Sequence, residues 1–234
     1  MRFLTWNLAM LDRSAEAPQA WEQFHTEAAI RDEVLGVDPD IVCWQELPRQ
    51  VPYVETLDLL PATTVTHNGN LAVLATHELV AAEPPPVIKA VDDIALLATL
   101  GDASVDQAFT VANVHLEPGP GAADHRLEQI SRVVGACPTQ RLLIVGDTNM
   151  RLGEEAVLVE AGFDATKPAQ PTWDSRVNRF RAGAPEFSAY FTRWFASPGL
   201  RVEDVRVHRS PVEFQDTRFF LSDHFALSAT LHVV

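Results

Sequence analysis

The chain has 234 residues, 47% of them hydrophobic, and a net charge of −14. That is enough to bury one substantial core, while the acidic balance excludes binding nucleic acid by blanket electrostatics, because phosphate backbones reward Lys and Arg. No apolar run approaches the roughly 20 residues of a membrane span, and the two cysteines, Cys43 and Cys137, lack a metal-ligand neighbour at C-x-x-C spacing and read as free thiols.

Taken in order, β-rich or alternating runs predict strands at 2–6, 41–45, 71–75, 94–100, 109–115, 141–145, 190–196, 200–207 and 225–233. The first begins at the N-terminus with no leader ahead of it, so a cytoplasmic location without membrane attachment is expected. Trp21, Phe24, Ala28 and Leu35 mark an apolar helical stripe before Gly36, and Leu127, Ile130, Val133 and Val134 mark another before Gly135. Pro84-Pro85-Pro86 reads as a rigid surface connection, and residues 118–123 as a loop able to shape a cleft rim after His115. No linker or repeat divides the chain, so one domain over 1–234 is expected, as a monomer. Strands outnumber helices, and several adjoin without a helix between them. That pattern suits two β-sheets packed face to face with helices outside.

Several strand-like runs finish in a compact polar tip: Thr5-Trp6-Asn7, Trp44-Gln45-Glu46, Val114-His115-Leu116, Gly146-Asp147-Thr148-Asn149 and Ser222-Asp223-His224. Each tip alone also reads as a turn or cap. Glu46, however, follows Asp40-Ile41-Val42-Cys43-Trp44, and a carboxylate ending so apolar a strand needs a metal or a partner to offset desolvation. Asp147 repeats the pattern after Arg141-Leu142-Leu143-Ile144-Val145, with Gly146 leaving room for close approach. Asn149 lies two positions beyond Asp147, on the same strand face. Oxygen ligands and proton carriers gathered at one edge are the requirement of metal-assisted phosphate ester hydrolysis. Charge is uneven as well: residues 1–170 sum to −15 and 171–234 to +1, with Arg176, Arg179, Arg181 and Arg193 close together. Those arginines read equally as a phosphate-meeting cluster and as a solvated loop.

In order and spelling these tips resemble the endonuclease/exonuclease/phosphatase superfamily over nearly the whole chain. Thr5-Trp6-Asn7-Leu8, Leu11-Asp12, His115-Leu116-Glu117, Gly146-Asp147-Thr148-Asn149-Met150-Arg151, Thr172-Trp173-Asp174 with Asn178, and Ser222-Asp223-His224 are similar to its tyrosyl-DNA phosphodiesterase 2 branch. The resemblance implies an α/β (α+β) fold, a four-layer sandwich of two packed mixed β-sheets flanked by helices, with catalytic loops at one edge. It implies Mg²⁺ or Mn²⁺ held chiefly by Glu46, with Asn7 adding a carbonyl oxygen or holding a water, and Asp223 binding the metal or fixing its loop. Asp147 would deprotonate the attacking water, with Asn149 turned to that water or to a phosphate oxygen. His115 and His224 would stabilise the transition state, Arg151 would clamp phosphate, and Trp173 would pack on a base, sugar or aryl group. Asn7 and Arg176 complete the expected substrate contacts.

One position departs from the pattern. Thr192 falls where family members commonly carry an Asp that orients the catalytic His, so His224 is expected to lack a charge partner unless another carboxylate replaces it. The leading expectation is a divalent-metal-dependent phosphodiesterase acting on nucleic-acid ends or nucleotide-like diesters, with a short or single-stranded substrate. The alternatives are a phosphatase or phospholipase-type enzyme on inositol or lipid phosphates, and a catalytically weakened binding protein of the same fold.

Overall fold

Alternating strands sort their side chains between two faces, and here that alternation builds three apolar layers. The computed structural model describes residues 1–48, 63–76, 79, 88–101 and 108–234, with the backbone alone for 63–68 and 88. One sheet contains β1 (Arg2–Asn7), β2 (Ile41–Gln45), β3 (Thr63–Asn68), β4 (Leu71–Thr76), β12 (Leu200–His208) and β15 (Ala226–Val233), in the order β12-β15-β1-β2-β4-β3. The other contains β5 (Ile88–Val91), β6 (Ala95–Leu100), β7 (Phe109–His115), β8 (Leu142–Asp147) and β11 (Thr192–Ala196), in the order β11-β8-β7-β6-β5. Two short hairpins complete the strands, β9 (Trp173–Asp174) with β10 (Ser188–Ala189) and β13 (Val212–Phe214) with β14 (Thr217–Phe219).

Phe3, Ile41, Cys43 and Val73 from the first sheet meet Leu96, Val111, Leu143, Val145 and Trp194 from the second in the central layer. Their neighbours Leu4, Val42 and Trp44 point outward to the helix α1 (Gln23–Val37). Ala112, Val114 and Ile144 point outward on the other side, to α2 (Ala123–Ala136). The result is the expected helix–sheet–sheet–helix sandwich; α3 (Ala156–Glu160) is a single short turn. No helix among the described residues is long and apolar enough to cross a membrane.

The two helices form where expected but with different phases. In α1 the buried residues are Thr26, Ile30, Val34 and Val37, whereas Phe24 is 58% and Leu35 45% exposed and Ala28 also faces out. Trp21 is buried but precedes the helix, its indole donating to Thr26 Oγ1 at 2.8 Å, so it cannot set the phase of a helix that starts at Gln23. In α2 the buried face carries Arg126, Gln129, Ile130 and Val133, and Val134 is exposed. Gly36 and Gly135 sit within their helices; α1 stops instead at Asp38, which takes a left-handed φ of 52°. Ala123, expected in the loop after His115, is the first residue of α2. The Pro84-Pro85-Pro86 segment lies outside the described residues.

Parallel pairing is what brings the polar tips together. The β1–β2 register pairs Asn7 with Gln45, and the β7–β8 register pairs His115 with Asp147, so four chain ends emerge side by side at one edge. Gly146 makes the second pairing possible. Its φ is +136°, and a Cβ there would lie 2.3 Å from Val114 O and 3.1 Å from Asn113 Oδ1. Overpacking of this kind costs on the order of 1–3 kcal/mol, with backbone strain added. Gly146→Ala should therefore shift the urea midpoint down by about 2 kcal/mol of stability; an unchanged midpoint would show that the β7–β8 contact is not tight.

Candidate active site

The inner faces that are apolar in mid-sheet turn polar at this edge. Thr5 and Asn7 continue the parity of Phe3, Gln45 that of Cys43, Asn113 and His115 that of Val111, and Asp147 that of Val145. Glu46 follows β2 with a left-handed φ of 53°, which swings its carboxylate out of the strand's alternation and toward Asn7.

Asn7 is the hinge of the arrangement. Its Nδ2 donates to Glu46 Oε1 and to Asp147 Oδ2, both at 2.9 Å, while its Oδ1 accepts the Ala9 amide at 2.9 Å. A backbone N–H can only donate, so the Ala9 contact fixes the amide orientation: Asn7 presents donor hydrogens to the acids, and one of the two lone pairs of its carbonyl oxygen accepts from Ala9. His115 Nε2 lies 3.5 Å from Glu46 Oε1 and 3.8 Å from Asp147 Oδ2, and ligand atoms of Glu46, His115 and Asp147 all fall within 4.8 Å of one another.

His224 enters from the other side, with Nε2 3.5 Å from Asp147 Oδ2 and Nδ1 3.4 Å from Thr192 Oγ1. Its loop is anchored: Trp6 Nε1 donates to His224 O at 3.0 Å, and Ser222 Oγ donates to Asn7 O at 2.6 Å. Among the described residues Asp147 is the one carboxylate within ion-pair range of His224. Asp174 is held by Arg176 and Arg209, and Asp223 by Arg181 at 2.5 Å.

Other expected site residues fall into two groups. Asn149, at φ 50°, receives the Asp147 Oδ1 contact through its backbone N–H at 3.1 Å and sends its Nδ2 to Leu116 O at 3.0 Å. Arg151 lies with its guanidinium carbon 4.3 Å from the Phe191 ring centroid, and its Nε is buried without a hydrogen-bond partner among the described residues. Burial, then the nearby Arg126, pull the Arg151 guanidinium below its ordinary value, while Glu154 and Asp147 push it back. A guanidinium that makes no ion pair among the described residues suits an incoming anion. Trp173 packs against Phe187 with ring centroids 4.3 Å apart and bridges by backbone to His224. Arg176 and Asp223, by contrast, are committed to ion pairs outside the Glu46–His115–Asp147 cluster. Arg181, one of the clustered arginines, feels Asp223 most, and also Glu46 and Asp12.

Sequence reasoning missed Arg126 as a support behind the site and read Arg193 as part of a phosphate-meeting cluster or a solvated loop, whereas it is a buried support. Arg126, fully buried, makes a two-pronged contact with Glu154 at 2.7 and 2.8 Å and donates to the carbonyls of Glu117 and Gly119. Arg193 binds Glu155 at 3.1 Å, Met150 O at 3.0 Å and Tyr190 O. These arginines clasp the loops that follow β7 and β8. The signal for Arg126 was its place one turn ahead of Ile130 and two ahead of Val133, on the apolar face; for Arg193 it was a charge inside a strand otherwise reading as buried.

The Endonuclease/Exonuclease/phosphatase family matches the chain over residues 4–224, and the chain belongs to that family. No curated protein matches it by sequence. The structure is similar to TDP2 of D. rerio complexed with single strand DNA product, at 17% identity and a TM-score of 0.73 over 99% of this chain and 98% of that one. It is also similar to a Bacteroides thetaiotaomicron mannosyl-6-phosphatase, at 15% identity and a TM-score of 0.70 over 99% of each chain. The endonuclease domain of TRAS1, a telomere-specific non-LTR retrotransposon, aligns at 17% identity and a TM-score of 0.63 over 99% of this chain and 98% of that one.

The Arg193 clasp can be tested without substrate. Burial pushes the Glu155 carboxyl up, but a backbone hydrogen bond, Lys167 and Arg193 together outweigh it and lower it from 4.5 to about 2. A depressed carboxyl stabilises the fold fully above its unfolded value, and that contribution is lost as pH falls toward the folded one. Glu155→Gln should thus lose stability against the parent at pH 7, and the gap in urea midpoint should narrow at pH 3; equal gaps would remove the charge from the clasp.

Proposed function

We propose that this member of the Endonuclease/Exonuclease/phosphatase family is a divalent-metal-dependent phosphodiesterase, acting on nucleic-acid ends or nucleotide-like diesters. The observation that carries the reading is the convergence of Glu46, His115 and Asp147. Glu46 and Asp147 face one another across a neutral amide, an excess of negative charge that suits a hard cation, and Mg²⁺ asks only one or two protein carboxylates because it keeps several waters. Glu46 would hold the ion, with Asp147 and His115 at its margin. When bound, it would neutralise charge on the phosphate oxygens.

The remaining work falls to the chain's own groups. Asp147 Oδ2, kept aimed by Asn7, accepts the proton of the attacking water. His115 and His224 flank that carboxylate and donate to the non-bridging oxygens, where charge accumulates in the transition state. Arg151 binds a phosphate oxygen from the side of Phe191. Trp173 and Phe187 offer an apolar wall for a base or aryl group. That wall, the acidic chain and the similarity to a TDP2 complexed with single strand DNA product favour a short or single-stranded substrate. The likeness to a mannosyl-6-phosphatase supports a second reading, a phosphatase on sugar or inositol phosphates. Turnover of 5′-phosphotyrosyl DNA, short single strands, thymidine 5′-p-nitrophenyl phosphate and an inositol polyphosphate, each with Mg²⁺, Mn²⁺ or EDTA, separates the two; activity on the monoester alone, or undiminished in EDTA, would overturn the first.

Two substitutions divide the roles. Glu46→Gln should raise the Mn²⁺ dissociation constant measured by calorimetry roughly 10-fold or more. Asp147→Asn keeps the volume and removes the base, so turnover should fall by about 10²–10⁴ with an unchanged circular dichroism spectrum. A variant at Asp147 that keeps most of its activity would take the base elsewhere.

A further inference from the structure

Directly beneath the acids, a buried amide bridge joins the two sheets. Asn113 reaches from β7 to the ends of β2 and β4, donating from Nδ2 to Trp44 O at 2.8 Å and to Ala72 O at 2.9 Å. With both hydrogens given to carbonyls, Oδ1 is left to accept, and Gln45 Nε2 donates to it at 2.7 Å. Gln45 Nε2 also reaches Thr5 Oγ1 at 3.0 Å and Cys43 O at 3.1 Å. Thr5, Gln45 and Asn113 are fully buried.

The position of Asn113 gives the bridge its meaning. Trp44 and Ala72 are the last residues in register between β2 and β4, and Glu46 turns left-handed two positions after Trp44. On its other side Asn113 Oδ1 lies where a Cβ on Gly146 would come within 3.1 Å, and Gly146 precedes Asp147. One side chain therefore bears on the backbone just ahead of both acids, each in a different sheet.

We propose that Asn113 is a positioning residue: through the Gln45 bridge it sets the separation of the Glu46 and Asp147 carboxylates, and with it the affinity of the site for a divalent cation. This rests on the metal reading above. Neither amide touches the ion or the substrate. They act by fixing the end of β2 against β7, which is in register with β8, as supports behind metal ligands do.

The test compares Asn113→Leu with Val111→Ala, an inner-face core change two residues earlier on β7. Mn²⁺ affinity is read by calorimetry and stability by thermal melting. Both variants should melt earlier than the parent, but only Asn113→Leu should weaken Mn²⁺ binding, by roughly 10–100-fold. Gln45→Leu breaks the same bridge from the other sheet, should reproduce the loss, and serves if Asn113→Leu fails to fold. Unchanged affinity in the bridge variants, or an equal drop in Val111→Ala, would overturn the positioning role. A parent protein that binds no Mn²⁺ would instead overturn the metal reading and this role with it.

Discussion

Two carboxylates sharing one neutral amide nitrogen set the terms for the rest of this molecule. Asn7 Nδ2 holds Glu46 Oε1 and Asp147 Oδ2 at 2.9 Å each, one from each sheet, with ligand oxygens closer than 4.8 Å. At that separation two negative charges repel by about 3 kcal/mol at an effective dielectric near 20. An amide cannot neutralise them; it can only keep them apart and aimed. The scaffold must resist this repulsion, and it does so by fixing the chain segments around the acids.

That demand explains why charges are buried where an apolar residue would pack. Arg126 and Arg193 lie behind the site, not in it, and bind main-chain carbonyls of the loops after β7 and β8 as well as Glu154 and Glu155. Buried ion pairs contribute little net stability after desolvation, so their value here is geometric. They spread the guanidinium's donors over several backbone acceptors and leave those loops a single course. The same logic places Ser222 Oγ on Asn7 O, tying the His224 loop to the strand that carries the shared amide.

The sequence made these features legible unevenly. Strands were readable because period-two alternation and apolar runs leave little choice, and their tips because Asn7, Glu46, His115 and Asp147 interrupt those runs at the point of exit. Helix existence was readable while helix phase was not: Phe24 and Leu35 are apolar but exposed, and the face of α1 is set by Ile30 and Val34 against Trp44 and Leu74. Short strands such as β9 and β13 have too few residues to show a period. Pairings across long separations were hidden altogether. Nothing local says that Asp223 meets Arg181 42 positions earlier, or that Asn113 reaches Gln45 across 68. Asn113, the one amide side chain inside Phe109-Thr110-Val111-Ala112-Asn113-Val114, was the visible trace of that bridge.

His224 shows how a departure from a family pattern is absorbed. The threonine expected in place of an acid does face the imidazole, at 3.4 Å from Nδ1, and the nearby acids do not replace it, since Asp174 answers to Arg176 and Arg209 and Asp223 to Arg181. Orientation of His224 therefore comes from a hydroxyl on one ring nitrogen, a carboxylate facing the other, and a backbone held by Trp6 and Ser222. A hydroxyl directs a ring but does not hold a charge on it. The nearest negative partner for this imidazole is Asp147 itself, so the proton carrier and the base lie on one contact, and any change that moves Asp147 moves the electrostatics of His224 as well.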